Sequence, residues 1–207
     1  MEGFNRIKHW ENIYNTKQLN EVSWYQPKPI TSLENIKKFA QSKSDKIIDV
    51  GGGDSFLVDH LLEEGFTDIT VLDISAKAIE RAKFRLGSKA DRVKWIVSDI
   101  TAFNPSEQYD IWHDRAAFHF LNESKDIDSY VHVANESIVS NGSLFVGTFS
   151  ENGPKKCSGI EIKQYSEHIL SETFKDNFQK QESFYIDHKT PFDTVQNFVF
   201  CSFKKLK

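Results

Sequence analysis

Cysteine, proline and long apolar runs are all scarce in this chain of 207 residues. Its two cysteines, Cys157 and Cys201, lack a metal-binding spacing and cannot build a disulfide framework. No apolar run approaches the ~18 residues of a membrane span. The polar N-terminal sequence has no apolar secretory segment. We therefore expect a cytoplasmic protein without a bound metal or a membrane partner.

The chain also lacks an excess of positive charge, since its formal net charge is −4. Nucleic-acid-binding domains carry basic surfaces, so the composition disfavours nucleic acid as a substrate. The modest acidity gives a weak preference for neutral or cationic ligands. The length predicts a single domain over residues 1–207. Nothing in the sequence indicates the oligomeric state.

Short apolar runs alternate with helical patterns through the middle of the chain. The runs predict strands over 46–50, 69–73, 93–97, 109–113 and 143–149. The intervening patterns predict helices over 31–41, 55–64, 75–86 and 125–139. Strands that are apolar on both faces and separated by helices form a parallel sheet covered on both sides.

The two ends of the chain have a different character from its middle. Residues 1–44 are predicted to form N-terminal helices and a lid, with Thr31 or Ser32 as a helix cap. Residues 45–150 are predicted to form a nucleotide-binding core. Residues 151–207 are predicted to form a substrate-rim loop and two terminal antiparallel strands.

The segment KIIDVGGGDSFL carries Asp49 and the glycines Gly51, Gly52 and Gly53 directly after a strand. Glycines there let a nucleotide ligand approach the backbone. A nicotinamide dinucleotide fingerprint needs a third glycine where this chain has Phe56. The carboxylate of Asp49 would also repel a pyrophosphate, but it could pair with an ammonium group. S-adenosylmethionine has such an ammonium and no phosphate.

Acids also follow the next two strands. Asp73, with the neighbouring Ile74, ends the second strand and could accept hydrogen bonds from two ribose hydroxyls. This position is shared with nicotinamide enzymes and does not discriminate between cofactors. Asp99 could accept a hydrogen bond from an adenine amine, and Ile100 could pack on the ring.

The motifs IIDVGGGDS, VLDIS, SDI and YDIWHDRAAFHFL, in this order, resemble class I S-adenosylmethionine-dependent methyltransferases, strongly over roughly residues 45–150. Ser55 departs from the family motif, which has a glycine there. The resemblance implies an α/β fold, with a Rossmann-like doubly wound sheet of seven strands. The sheet would be mostly parallel with an antiparallel last strand and helices on both faces.

By the same resemblance, Asp49 and the three glycines would face the methionine part of the cofactor. Asp73 would face the ribose, and Asp99 with Ile100 would face the adenine. His113 would lie beside the methionine group. If a general base is used, His113, Asp114 and His119 are the candidates. The cluster from His113 to Arg115 could equally be structural.

Further candidates lie at the two ends of the chain. The spacing of Trp10 and Tyr14 is distantly similar to that of protein-lysine methyltransferases, whose N-terminal segment closes over the cofactor. Both residues are therefore predicted to contact the cofactor from a lid. Tyr25, Arg115 and Cys157 are predicted to contact the substrate. The segment around Cys157 resembles a bacterial subgroup of small methyltransferases.

The sequence thus predicts an enzyme that transfers a methyl group from S-adenosylmethionine by in-line displacement. The acceptor would be a small molecule or a protein side chain. Two alternatives stay open at this point. One is a nicotinamide-dependent oxidoreductase, and the other is a module that binds S-adenosylmethionine without catalysis.

Overall fold

A computed structural model describes residues 4–207. Its α-helices within that range are α1 (Arg6–Thr16), α2 (Ile30–Phe39), α3 (Leu57–Glu63), α4 (Ala76–Leu86), α5 (Ser124–Ser137) and α6 (Glu167–Phe174). Its strands are β1 (Lys46–Val50), β2 (Asp68–Asp73), β3 (Val93–Val97), β4 (Tyr109–Arg115), β5 (Ile138–Phe149), β6 (Lys156–Cys157), β7 (Ile160–Glu161), β8 (Phe178–Lys189) and β9 (Val195–Lys205).

Seven of these strands form one sheet in the order β3-β2-β1-β4-β5-β9-β8. The pairs from β3 to β5 are parallel, whereas β9 runs antiparallel to both β5 and β8. The predicted fold class and the antiparallel terminal pair are therefore confirmed. The chain leaves β1 toward β2 and later returns to its other side as β4. Such a reversal of strand order opens a ligand crevice at the carboxyl ends of the strands.

Successive residues of β1 pack into different apolar layers. Ile47 packs with Leu33, Leu57 and other residues of the layer on α2, α3 and α4. Ile48 packs with residues such as Tyr130 and Phe174 in the layer on α5 and α6. Side chains alternate between the faces of a strand, so a strand buried on both sides reads as a continuous apolar run. The two layers hold the carboxyl end of β1 rigidly beneath the crevice.

The predicted limits of α4 are explained by its caps. The Ser75 side chain accepts a hydrogen bond from the Ala78 N–H, and Gly87 ends the helix with a φ of 57°. In α2, by contrast, the predicted cap is wrong. The helix begins at Ile30 with Pro29 at its N-cap, so Thr31 and Ser32 lie inside the first turn.

Other boundaries also differ from the prediction. Helix α3 begins at Leu57 rather than Ser55, because Phe56 occupies the N-cap. Helix α5 ends at Ser137, and β5 begins at once. The sequence patterns also missed α6 and the short hairpin of β6 with β7, because both are too brief for a clear periodicity. The division into residues 1–44, 45–150 and 151–207 stays a prediction.

Candidate functional site

Two adjoining cavities lie at the carboxyl ends of β1, β2 and β4. The first has a volume of about 840 Å³ including its open mouth. Its lining includes Gly51, Asp73, Ile74, Asp99, Ile100, Trp10, Tyr14, Arg115 and Cys157. The second cavity is lined by residues that include Asp49, Gly51, Gly52, His113, Tyr14, Tyr25 and Arg115. Most of the predicted site residues therefore meet at one place.

The glycine loop forms the floor between the cavities. Gly51 has a φ of 69°, and its N–H donates to the Leu72 carbonyl at 2.7 Å. A Cβ atom on Gly51 would lie 2.6 Å from the Cβ atom of Ala117. One on Gly52 would overlap the Asp49 carboxylate. The loop therefore requires glycine, and its backbone is left open to a ligand.

Gly53 has a different role from the one predicted. It lines neither cavity, and a Cβ atom there would lie 2.5 Å from Asp73 Oδ2. Its lack of a side chain makes room for the Asp73 carboxyl, so its contribution to a cofactor site is indirect.

Asp49 and His113 form a buried hydrogen-bonded chain with Ser32. The Asp49 Oδ1 atom lies 2.7 Å from Nδ1 of His113, and the Ser32 Oγ atom lies 2.9 Å from Nε2. All three side chains are almost completely buried and line the second cavity. Because β1 and β4 pair Asp49 directly with His113, the sheet register sets this contact. The second Asp49 oxygen points toward Gly52.

Asp73 ends β2 with its carboxyl buried beside the first cavity. Burial raises its pKa to about 7, and the negative charge of Asp49 acts in the same direction. The Ser75 N–H donates to Oδ1 at 2.8 Å and partly opposes this shift. A buried carboxyl with unused acceptor capacity suits a ligand that brings hydroxyl donors.

Asp99 is already engaged by residues of the protein. Its Oδ1 atom accepts hydrogen bonds from the N–H and the hydroxyl of Thr101, and its Oδ2 atom lies 3.0 Å from Nη2 of Arg6. Arg6 also contacts Asp126 at 2.9 Å. The predicted hydrogen bond to adenine therefore competes with Arg6, which the sequence patterns did not identify. Ile100 is buried and lines the same cavity.

Helix α1 lines the first cavity with Arg6, Trp10 and Tyr14, and its role as a lid stays a prediction. The Trp10 ring contacts Phe120 and Trp24, with centroid separations of 4.9 and 5.8 Å. At the other end of the helix, Arg81 donates to the carbonyls of Tyr14 and Lys17. The aromatic wall and the capped helix end keep α1 in place, so its motion is not implied by this geometry.

The structure places two predicted bases outside the cavity linings. Asp114 Oδ1 accepts hydrogen bonds from the N–H groups of Ala117 and Phe118, and its Oδ2 accepts one from the Tyr130 hydroxyl. Its carboxyl is thus occupied by the loop after β4 and by Tyr130, which gives no support to its predicted role as a general base.

His119 is completely buried. Its Nδ1 accepts a hydrogen bond from the Phe149 N–H at 3.1 Å, which leaves the proton on Nε2. Burial and the nearby Arg115 lower its pKa to about 3, so the ring is neutral. Since the ring lines neither cavity, the geometry gives no support to a catalytic His119.

The three predicted substrate residues do reach the cavities. Arg115 lines both, Tyr25 lines the second, and Cys157 lines the first. Burial raises the pKa of the Cys157 thiol, which argues against a thiolate nucleophile. Sequence reasoning missed Phe149 and Phe198, which line the first cavity from β5 and β9, because only the sheet brings them there. Between residues 4 and 207, no three His, Cys, Asp or Glu side chains are placed to hold a metal ion.

Comparisons with known proteins agree with this geometry. Residues 48–144 match the family described as "Methyltransferase domain". A ubiquinone biosynthesis O-methyltransferase of Klebsiella pneumoniae (strain 342) is 31% identical over 111 residues, which are 52% of this chain and 44% of that protein. An eEF1A lysine and N-terminal methyltransferase of Mus musculus is 28% identical over 98 residues, which are 47% of this chain and 14% of that protein.

A solved structure extends the likeness to nearly the whole chain. The N-methyltransferase NodS from Bradyrhizobium japonicum WM9, in complex with S-adenosyl-L-homocysteine, has a TM-score of 0.74 at 12% identity. The match covers 98% of this chain and 100% of that one, and it concerns the fold. The chain spans less than half the length of the two curated relatives.

The matched segment and the fold resemble those of class I S-adenosylmethionine-dependent methyltransferases. The matched segment contains the glycine loop, Asp73, Asp99 and all of β4. S-adenosylmethionine is the cofactor of this class, and the residues at the crevice fit it. They combine an open glycine cradle with buried carboxyls and an aromatic wall. As for localisation, no helix within residues 4–207 is long and apolar enough to span a bilayer.

Proposed function

We propose that this protein transfers a methyl group from S-adenosylmethionine to a small-molecule acceptor. The observation that carries the proposal is the buried Asp73 carboxyl beside the glycine cradle, within a cavity closed by aromatic side chains. Asp73 can accept hydrogen bonds from ribose hydroxyls. The glycine loop offers its backbone to the methionine part.

When bound, the cofactor would supply a methyl group on a positively charged sulfur. A lone pair of the acceptor would form the new bond to the methyl group, and the sulfur would keep the electron pair of the broken bond. The residues of the chain then have to orient the two reactants and exclude water. The walls from Trp10, Trp24, Phe149 and Phe198 serve this purpose. Asp49 is held by His113 beside the cradle, where its negative charge can pair with the ammonium group.

A general base is not part of the proposed mechanism. His113 has hydrogen-bond partners at both ring nitrogens, and Asp114 and His119 lie outside the cavity linings. The acceptor would therefore bind with a lone pair that is already free at the working pH, or it would lose its proton to water after transfer.

The other acceptor class is a protein side chain, as the name of the Mus musculus relative indicates for that protein. We favour a small molecule because α1 lies across the cavity. A module that binds the cofactor without catalysis would have the same donor residues, so only an assay separates it from an enzyme. A cytoplasmic location and the lack of a nucleic-acid partner stay predictions from the sequence.

Two measurements test the proposal. Titration calorimetry should detect binding of S-adenosyl-L-homocysteine and none of NADH, whereas binding of NADH alone would overturn it. Asp73→Asn should weaken the binding of S-adenosyl-L-homocysteine by about tenfold, which is the loss expected when a charged hydrogen-bond acceptor is removed. Asp68→Asn is the matched control, because Asp68 begins the same strand and pairs with Lys94 at the amino ends of the strands, away from the cavities.

The second measurement is a tritiated-methyl transfer assay on fractionated cell lysate. Label in the small-molecule fraction is expected, and label confined to protein would replace the proposed acceptor class. Tight product binding without transfer to either fraction would favour the non-catalytic module.

A further inference from the structure

Among residues 4–207, no carboxylate forms an ion pair with Arg115, which lines both cavities. Arg6, Arg81 and Arg85 each pair with at least one aspartate. Within the described residues, the Arg115 guanidinium donates only to the Trp24 carbonyl, at 3.2 Å. A guanidinium has five N–H donors, so most of its capacity is unused.

The groups that contact this cation are neutral, although the Asp49 carboxylate attracts it without forming an ion pair. Its Cζ atom lies 4.9 Å from the centroid of the Phe198 ring, and the lining of the first cavity beside it includes Cys157. Burial lowers the Arg115 pKa to about 10, which leaves the side chain charged at neutral pH. A buried cation without a carboxylate in direct contact is costly, and an anionic ligand would reduce that cost.

The guanidinium is directed toward the acceptor side of the crevice. Arg115 ends β4, and the Phe198 ring beneath the guanidinium belongs to β9, two strands further along the sheet from β4. The glycine cradle follows β1, on the opposite side of β4. The Phe198 contact therefore places the charge on the β9 side of the crevice, although Arg115 also lines the second cavity beside Asp49 and Gly51.

The backbone after β4 fixes this direction. Ala116 has a φ of 70°, and its N–H donates to the Gly147 carbonyl at 2.8 Å. Asp114, just before Arg115, holds the N–H groups of Ala117 and Phe118. The chain on both sides of Arg115 is thus tied to the sheet, so its side chain starts from a rigid position.

We propose that Arg115 is the anchor for an oxyanion on the acceptor, so that the enzyme methylates a small apolar or aromatic acid. The body of the acceptor would pack against the aromatic side chains Trp10, Phe149 and Phe198. This inference rests on the proposed function and narrows its substrate class. It also opposes the preference for cationic acceptors that the net charge of −4 suggests, because the local cation outweighs distant surface charge. A protein lysine would bring a second cation next to Arg115.

The test uses protein saturated with S-adenosyl-L-homocysteine and two probes of matched shape, salicylate and the uncharged salicylamide. Wild-type protein should bind salicylate about tenfold more tightly than salicylamide by titration calorimetry. This comparison needs no variant. Equal binding of the two probes, or binding of neither, would overturn the proposal.

Variants then assign the effect to the side chain. Arg115→Met should abolish the preference for salicylate, and Arg115→Lys should keep most of it. Arg92→Met is the control, because Arg92 is exposed and precedes β3 at the far edge of the sheet. A preference that survives in Arg115→Met would overturn the assignment.

Arg115 could instead bind the carboxylate of the cofactor, and this alternative needs its own test. Binding of S-adenosyl-L-homocysteine to Arg115→Met should change by less than about twofold. A loss of about tenfold, absent when 5′-methylthioadenosine is the ligand, would assign Arg115 to the donor and overturn the acceptor role. Product binding by wild-type protein tests the proposed function separately, so failure of one does not imply failure of the other.

Discussion

The Nδ1 atom of His113 lies 2.7 Å from Oδ1 of Asp49, so β4 supplies the partner for the acid at the end of β1. Removing the imidazole would leave the buried Asp49 carboxylate without this hydrogen-bond partner. His113→Phe should therefore weaken S-adenosyl-L-homocysteine binding by about tenfold at pH 7.5, as measured by titration calorimetry. Ser32→Ala removes only the bond to Nε2 and should have a smaller effect. Unchanged affinity in His113→Phe would rule out Asp49 as the ammonium partner.

Asp73 makes cofactor binding depend on pH. Its pKa is raised to about 7 in the free protein, chiefly by burial. Hydroxyl donors from the ribose favour the charged form, so binding lowers this pKa and releases a proton below pH 7. Affinity should therefore rise from pH 5.5 to 7.5. Calorimetry in two buffers of different ionisation enthalpy measures the release, which should vanish in Asp73→Asn. Proton uptake, or no proton exchange at pH 6.5, would contradict this assignment.

The same shift has a consequence for the stability of the free protein. A carboxyl whose pKa is raised by folding contributes stability fully below its unfolded pKa, near 4, and loses it as pH rises through about 7. Asp73→Asn should therefore raise the melting temperature at pH 8 but not at pH 4, when no cofactor is present. Thermal unfolding followed by circular dichroism checks the sign. A lower melting temperature at pH 8 would show that hydrogen bonds stabilise the charged carboxylate more than its burial destabilises it.

Asp114 should affect stability more than chemistry. Asp114→Ala leaves two buried N–H groups and the Tyr130 hydroxyl without their acceptor. The free energy of unfolding should fall by about 3 kcal/mol, the order expected for unsatisfied buried donors. Asp114→Asn keeps an acceptor oxygen and should lose less. Denaturant unfolding gives both values. A stable Asp114→Ala protein that has lost all turnover would instead restore Asp114 as a catalytic residue.

Arg6 connects α1 to the side of the cavity where adenine is expected to bind. It pairs with Asp99 and Asp126, so the start of α1 is held over the carboxyl that adenine would use. Arg6→Ala should raise both the association and dissociation rates of S-adenosyl-L-homocysteine by a few fold. Stopped-flow fluorescence can follow this through Trp10 and Trp24 at the cavity wall. Lys8→Ala on the exposed side of the same helix is the control. Equal rates in wild type and Arg6→Ala would show that α1 does not limit access.

The donor side of the site could be predicted from sequence because it depends on short segments. Asp73 ends β2, the glycine loop begins directly after β1, and Asp99 lies two residues after β3. A parallel sheet brings such positions to one edge. The acceptor side could not be predicted in this way. Phe198 reaches Arg115 only because β9 lies next to β5, and no local pattern encodes that neighbour.

The roles of residues within β4 show a second limit. The sequence WHDR shows that four polar or aromatic residues follow one another. It does not show which atoms their side chains contact. His113 bonds to β1 and α2, while Asp114 turns back to its own loop. Which of them meets a ligand depends on strand alternation and on the turn at Ala116, whose positive φ is unusual for alanine.

Strand β9 lies between β5 and β8 in the sheet, although it follows both in the chain. Within the described residues, β8 joins the sheet only through β9, and Phe198 enters the cavity wall when β9 adds to β5. During synthesis, the donor half could take shape first, whereas the acceptor wall would form last, through contacts distant in sequence. Hydrogen exchange should accordingly show the amides of β8 and β9 opening as one cooperative unit, separately from β1 and β2.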